Sequence, residues 1–150
     1  MNIPEQGFKF LKIKNGLPYF AIVTLEAKEI KSESEIIENY SGAGFTSQGN
    51  FESIPKNGYD DWKIAARRGI NFVLNLSNRN WRVTIHSIEG RIATDTNPTI
   101  VGYVTILALC TFIGFELDET LKEELDRFVF KSWKEDNSFK IPDFETLGYN

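Results

Sequence analysis

Apolar and polar residues alternate along the first part of the chain, as they do in half-buried β-strands. The alternation covers residues 7–14 and residues 18–30. Between these segments lies Asn15-Gly16, the strongest two-residue signal for a hairpin turn. The apolar run LPYFAIVTL follows three lysines, as in a signal peptide, but it is short and charged residues follow it at once. We therefore expect a β-hairpin at the start of the chain.

A helical period replaces the alternation from Asp60 onward. Asp60 or Asp61 can accept hydrogen bonds from the first-turn N–H groups, and their negative charge suits the helix dipole. Lys63 and Arg67 lie on the outer, polar face. The apolar face recurs at spacings of three and four residues and comprises Trp62, Ala65, Ala66, Gly69, Ile70, Val73 and Leu74. We expect an amphipathic helix whose glycine permits close packing on a sheet.

Residues 81–88 return to the alternation of a strand. Val83 and Ile85 point to one face, whereas Thr84 and His86 point to the other. We expect helices to cover the face that carries Val83 and to leave the face that carries His86 open to solvent.

An almost wholly apolar helix is predicted from about Ile100 to Phe115. Thr96 or Asn97 can cap its first turn, and Pro98 stands at the first helical position, where a missing N–H is harmless. The helix is shorter than the roughly 18 residues that a membrane span requires. Because nearly all its faces are apolar, we expect it to be the most buried element of the fold.

A third helix is predicted from Asp118 to about Trp133. Acidic residues stand at its start and lysines at its end, as the helix dipole favours. Its inner stripe comprises Leu121, Leu125, Phe128, Val129 and Ser132.

Residues 31–55 carry the weakest pattern of the chain. They begin with several glutamates and pass into SGAGFTSQGNF, which is rich in glycine and serine. We expect a turn or a short helix there, followed by a loop and a short strand around residues 45–51.

The composition indicates one globular domain over residues 1–150. Hydrophobic residues make up 41% of the chain and charged residues 25%, which is ordinary for a globular protein and unlike a disordered one. The single cysteine, Cys110, permits no internal disulfide. A chain that does not depend on disulfides suits the reducing cytoplasm, so we expect a cytoplasmic protein.

The order of these elements resembles that of a known family. The segment PKNGYDDWKIAARRGI, the later segment WRVTIHSIEGRIATDTNPT and the apolar helix after it resemble domain IV of elongation factor G and of its ribosome-protection relatives. Gly90 stands where the strand of that family has its glycine. Asp95-Thr96-Asn97 takes the place of the acidic cap before the family's last helix.

The resemblance implies an α+β fold with a left-handed βαβ crossover, shared with the second domain of the fifth small-subunit ribosomal protein. In that fold a single sheet of about four strands carries helices packed on one face. The domain IV-like core would span about residues 18–115, and an extra C-terminal helix and tail would occupy residues 116–150. The chain carries no Walker motif and no GTP-binding domain, so we expect no translocating GTPase.

Residue types that carry catalysis or bind metals are scarce. His86 is the only histidine, and a general base needs a partner that the sequence does not supply. Cys110 lies within the apolar helix, where a thiol has a raised pKa and little reactivity. One histidine and one cysteine do not make a zinc site, and the glycine-rich residues 41–50 lack the Lys-Ser/Thr of a phosphate loop. We expect a non-catalytic protein without a metal or cofactor.

Charge is distributed unequally along the chain, whose formal net charge is −4. Residues 60–91 hold six basic and three acidic side chains, whereas residues 116–136 hold four basic and eight acidic ones. Ordinary solvated helix faces are one explanation, and two surfaces for binding partners are the other. The candidate interaction residues are Arg67, Arg79 and Arg82 on the basic side and Glu119, Glu123 and Glu124 on the acidic side.

Two classes of function fit these features. The first is a small cytosolic binding protein that contacts a translation component or ribosomal RNA through its basic surface, as the resemblance implies. The second is an immunity-type inhibitor whose acidic helix imitates nucleic-acid charge and blocks a basic toxin nuclease. Neither class needs a membrane, and the sequence does not decide the oligomeric state.

Overall fold

A computed structural model describes residues 7–134 and 136–149 and shows an α+β fold. Helices and strands lie mainly in separate layers, with the helices packed on one sheet. Within the described ranges the elements, in chain order, are β1 (Phe8–Lys14), β2 (Leu17–Ile30), β3 (Glu35–Glu38), β4 (Glu52–Ser53), α1 (Asp60–Leu76), β5 (Asn80–Gly90), α2 (Pro98–Ile113), α3 (Glu119–Val129), a 3₁₀ turn (Asn137–Phe139), β6 (Pro142–Asp143) and β7 (Gly148–Tyr149).

The main sheet of the described chain is mixed and has five strands. Its order is β1-β2-β5-β3, and the two-residue strand β4 also pairs with β5. The β1–β2, β2–β5 and β4–β5 pairs are antiparallel, whereas β3 runs parallel to β5 with Ile36 beside Val83. The path from β3 through α1 to β5 is therefore a βαβ crossover. Its left-handedness stays a prediction.

The hairpin between β1 and β2 forms where the sequence predicts it. Asn15 and Gly16 both have positive φ, 53° and 78°, which is the backbone of the tight turn that matches strand twist. Lys14 then pairs with Leu17, and the pairing continues to Phe8 opposite Val23. The apolar run after the turn belongs to β2.

The helices cover one face of the sheet, as predicted. Val83 and Ile85 are completely buried, whereas Thr84 and His86 remain partly exposed on the other face. The helix α2 packs on β1 and β2, and α1 packs on α2 and on β5. Asn97 caps α2 by accepting a hydrogen bond from the N–H of Ile100 at 2.8 Å, as the sequence indicates.

The most buried element is α2, in agreement with its composition. Most of its 16 residues are buried, including all of the first turn. In the described part of the chain, no helix combines the length and the hydrophobicity needed to cross a membrane.

Gly69 lies against another helix rather than against the sheet that the sequence analysis expected. A Cβ atom added to Gly69 would stand 2.5 Å from the carbonyl oxygen of Gly102 in α2. The two glycines therefore lie where the backbones of α1 and α2 come close together. This close approach explains a mid-helix glycine, which costs about 1 kcal/mol relative to alanine.

The start of α1 differs from the prediction. The N-cap is Tyr59, in the left-handed region at φ 55°, and it forms no side-chain capping bond. Asp60 and Asp61 lie within the first turn, where their charge still favours the helix dipole. The prediction that one of these aspartates accepts the capping hydrogen bonds was wrong.

The end of α3 also differs, because the helix stops at Val129 instead of Trp133. Tertiary hydrogen bonds bind the chain directly after it. The Tyr19 hydroxyl donates to the carbonyl of Phe130 at 3.0 Å, and the Trp133 indole donates to the carbonyl of Pro18 at 2.6 Å. These bonds attach residues 130–133 to the β1–β2 hairpin, and the residues form turns instead of continuing the helix.

Residues 31–55, which carry the weakest sequence pattern, show the largest differences between the predicted and the observed secondary structure. Residues 35–38 form strand β3 and not a turn or short helix, because they pair with the open edge of β5. Residues 45–51 form no strand. Phe51 instead packs on Phe20, with ring centroids 4.8 Å apart, and covers one end of the sheet's outer face.

Candidate functional site

The three basic candidates are each paired with a glutamate of a neighbouring strand. These pairs are Arg67 with Glu38, Arg82 with Glu35, and Arg79 with Glu29. Arg67 Nη1 lies 2.7 Å from Glu38 Oε1, and Arg79 Nη1 lies 3.6 Å from Glu29 Oε1. The cationic charge that the sequence assigned to this surface is therefore largely balanced within the molecule.

These pairs were not visible in the sequence. Arg82 and Glu35 are 47 residues apart and meet only because β3 lies beside β5. The pattern of residues 31–55 does not indicate β3 as a strand, so Glu35 and Glu38 could not be placed beside the arginines from the sequence.

The three acidic candidates lie on α3 and have no ion-pair partner within the described chain. Glu119 and Glu123 are exposed and stand one helical turn apart, and Glu124 is half-buried. Their neighbour Asp126 faces the core side, where it accepts a hydrogen bond from the Tyr103 hydroxyl at 2.5 Å. The negative charge of this helix is thus available to a partner.

A groove of about 520 Å³ runs beside these glutamates, between the end of α2 and the start of α3. Lys122 adds one positive charge to a lining that also holds Glu116 and Glu119. The apolar part of the lining comprises Leu107, Phe115 and Leu117. The lining of the groove therefore combines apolar side chains with two carboxylates and one ammonium group.

Cys110 also lines this groove but is buried, as the sequence predicts. Burial raises the pKa of its thiol to about 11, so almost none of it is thiolate at neutral pH. Such a thiol is a poor nucleophile at neutral pH.

His86 is less exposed than the sequence analysis expected. Its Nε2 atom lies 3.0 Å from Glu26 Oε1 on β2, and the two side chains are only 14% and 18% exposed. The second carboxylate oxygen of Glu26 is buried and has no hydrogen-bond partner in the described chain. No hydroxyl or thiol of the described residues binds His86, so this pair of a base and a carboxylate lacks a nucleophile.

The glycine-rich segment uses its N–H groups for backbone pairing. Gly42 donates to the carbonyl of Ile54 at 3.0 Å, and Gly44 donates to the carbonyl of Ser53 at 2.8 Å. These N–H groups are occupied and cannot cradle a phosphate. Likewise, the described residues contain no group of three or more His, Cys, Asp or Glu side chains that could hold a metal ion.

One basic residue has a place that the sequence pattern did not suggest. Lys63 was expected on the outer face of α1, but only 7% of it is exposed. It is covered by Tyr40 and by the loop that carries Lys56. The helical period could not indicate this, because the covering residues come from a segment without a recognisable pattern.

Comparison with protein-family models and with curated proteins gives no match for this chain. The resemblance to domain IV of elongation factor G consequently stays a prediction. A proposal about function therefore rests on the charges, contacts and pockets of the described residues.

Proposed function

We propose that this protein is a non-catalytic, cytoplasmic binding protein of the immunity type, which neutralises a basic protein partner. The contact is made by the acidic docking face, which consists of Glu116, Glu119, Glu123 and Glu124 together with the adjoining groove. The observation that carries the proposal is the contrast in pairing: among residues 7–134 and 136–149 these glutamates have no ion-pair partner, whereas the candidate arginines have one each.

Unpaired charges favour a partner because their attraction is not already used inside the molecule. A basic surface that approaches α3 gains new ion pairs without breaking existing ones. Such complementarity mainly speeds the encounter and excludes wrong partners, while burial of apolar surface supplies affinity. Phe115 and Leu117, which line the groove, contribute apolar surface to such a contact.

A contact with ribosomal RNA is the alternative function that the resemblance suggests. Phosphate binding requires clustered cations that can exchange their counterions. Arg67, Arg79 and Arg82 would first have to leave their glutamates. We therefore favour a basic protein over RNA as the partner.

The experiment that tests this function compares charge reversals on the two surfaces. Partners are captured from cell extract with the wild type and with the double variant Glu119→Lys/Glu123→Lys, and each captured protein is then purified and its association rate measured. We expect a basic protein whose association slows about tenfold or more in the double variant and slows also with added salt. Glu33→Lys, an exposed reversal outside the acidic docking face, should leave the rate nearly unchanged.

The result that would overturn the proposal is equally specific. A partner whose binding survives reversal of both α3 glutamates but is lost on reversal of Arg79 and Arg82 would assign the contact to the basic side. If that partner were RNA or a ribosomal protein, the translation-related alternative would replace the immunity-type function.

A further inference from the structure

A second pocket lies far from the acidic residues in sequence, where the end of β3, the loop before α1 and the first turn of α1 meet. Its volume is about 370 Å³. It is lined by Glu38, Asn39, Tyr40, Lys56 and Lys63. Two of these side chains, Tyr40 and Lys63, are more than nine-tenths buried.

Lys63 is a buried cation that forms no ion pair with any described residue. Its Nζ atom donates to the carbonyl oxygen of Lys56 at 2.8 Å and lies 5.2 Å from the centre of the Tyr40 ring. Within the described residues no carboxylate lies at ion-pair distance from it. It also stands in the first turn of α1, where the helix dipole disfavours positive charge. A buried and unbalanced charge is destabilising, and one carbonyl and one ring compensate it only in part.

Tyr40 presents a second unsatisfied donor. Its hydroxyl is buried and has no hydrogen-bond partner of normal geometry in the described chain. Burial, followed by the negative charge of the nearby Glu38 carboxylate and a weak hydrogen-bonding interaction with it, raises the pKa of this phenol far above its usual value, so the group keeps its proton. A buried donor that lacks an acceptor costs about 1–3 kcal/mol. Lys63 and Tyr40 thus share the need for an acceptor, preferably a negative one.

The balance of charge in the pocket is positive. Lys56 is exposed and adds a second cation to that of Lys63. Glu38 is the carboxylate of the lining, and its charge is offset by Arg67, whose Nη1 lies 2.7 Å away. Lysine ammonium groups act as point charges and are common ligands of phosphate, whereas flat carboxylates are better matched by the fork of arginine.

We propose that this pocket binds the phosphate group of a small anion, with Lys63 and Lys56 as the cations and the Tyr40 hydroxyl as a further donor. The pocket is larger than one phosphate ion, so the phosphate can be free or attached to a small organic body. This site is separate from the acidic docking face and does not depend on the function proposed for it.

The test is a thermal-unfolding titration of the full chain at constant ionic strength. The probes are inorganic phosphate, pyrophosphate and glycerol phosphate, and sodium chloride is the reference. Binding to the folded state raises Tm in a concentration-dependent manner, so we expect a rise that one or more of the phosphate probes produce and chloride does not. A response to glycerol phosphate that exceeds the response to inorganic phosphate would identify an organic phosphate as the ligand.

Three variants connect the rise in Tm to the pocket. Lys63→Met should abolish it, and Tyr40→Phe, which removes a single oxygen, should weaken the apparent affinity several-fold. Lys122→Met removes an exposed lysine on α3 and should leave the rise unchanged. Without any anion, Lys63→Met should be at least as stable as the wild type, because a buried unbalanced charge has been replaced by an apolar chain of similar length.

Several outcomes would overturn the proposal. The first is the absence of any probe-dependent change in Tm, together with a less stable Lys63→Met variant, which would make Lys63 a purely structural contact. The second is an equal loss of response in Lys122→Met, which would show binding to general surface charge. If Lys63→Met does not fold, the variants Tyr40→Phe and Lys56→Met are tested instead. A rise in Tm as large as that of the wild type in both of these variants would contradict the proposed site.

Discussion

At the scale of single residues, a buried carboxylate connects two strained loops. Glu52 is 4% exposed and accepts hydrogen bonds from the Tyr59 hydroxyl and from the N–H of Ile92, the latter at 2.9 Å. Tyr59 and Ala93 both have positive φ, 55° and 64°, which is uncommon for residues with a side chain. The carboxylate therefore holds together the loop before α1 and the loop after β5.

Replacement of this carboxylate should be costly. In Glu52→Ala, two part-buried hydrogen bonds and the packing of a buried side chain are lost, and we expect the free energy of unfolding to fall by about 1–3 kcal/mol. Tyr59→Phe, which removes one donor and leaves the bond to Ile92, should lose only about 1 kcal/mol. Urea unfolding measures both values. Equal stability of Glu52→Ala and wild type would show that water replaces the carboxylate and that the loops do not depend on it.

At the scale of elements, the secondary structure that the sequence predicts correctly is specified by short local motifs. Asn15-Gly16 predicts the hairpin, and Asn97-Pro98 predicts the start of α2, because a turn or a cap is decided by two or three adjacent residues. The strand β3 was missed because its four residues become a strand only through pairing with β5, more than 40 residues later. The same distance hid the partner of Arg82, and the burial of Lys63 was hidden because the residues that cover it come from a segment without a recognisable pattern, so the candidate site was the less predictable part.

The contact between α1 and α2 gives a prediction at this scale. Gly69→Ala improves helix propensity by about 1 kcal/mol. The added Cβ would, however, stand 2.5 Å from the Gly102 carbonyl, and backbone atoms must move to relieve it. We expect a net loss of about 1–3 kcal/mol in unfolding free energy, measured in urea.

The matched control is Asn71→Ala, an exposed position two residues further along α1. It should be neutral or slightly stabilising, because alanine is the better helix former and the side chain of Asn71 is exposed. A Gly69→Ala variant more stable than the wild type would mean that α1 can move away from α2 without loss of packing.

At the scale of the whole molecule, buried phenols make stability depend on alkaline pH. Burial raises the pKa of Tyr40 and Tyr103 far above the usual value, and burial with a hydrogen bond to Glu52 raises the pKa of Tyr59 to about 12. The folded state therefore keeps protons that the unfolded state releases near pH 10. By linkage, this contribution is fully present below about pH 10 and is lost as pH rises through the folded-state values.

This dependence can be measured by urea unfolding at a series of pH values from 8 to 11. We expect the free energy of unfolding to begin to decline near pH 9, where the thiol of Cys110 ionises in the unfolded state, and to decline more steeply once the pH passes about 10. Tyr103→Phe removes one of the three groups and should make the decline shallower, although the loss of its bond to Asp126 lowers stability at every pH. An identical slope in wild type and Tyr103→Phe would exclude this tyrosine as a source.

The position of β1 at the end of the sheet has a consequence for solubility at high concentration. In the described chain β1 pairs with β2 alone, so its outer backbone groups offer a template for a strand from another molecule. Leu11 and Ile13 are 58% and 70% exposed on this strand, which adds an apolar attraction. Lys12 and Lys14 alternate with them, each near the ring of Phe130. If β1 of a second molecule paired with this edge, its lysines would lie close to Lys12 and Lys14. The resulting charge repulsion disfavours edge-to-edge pairing and hence fibril growth.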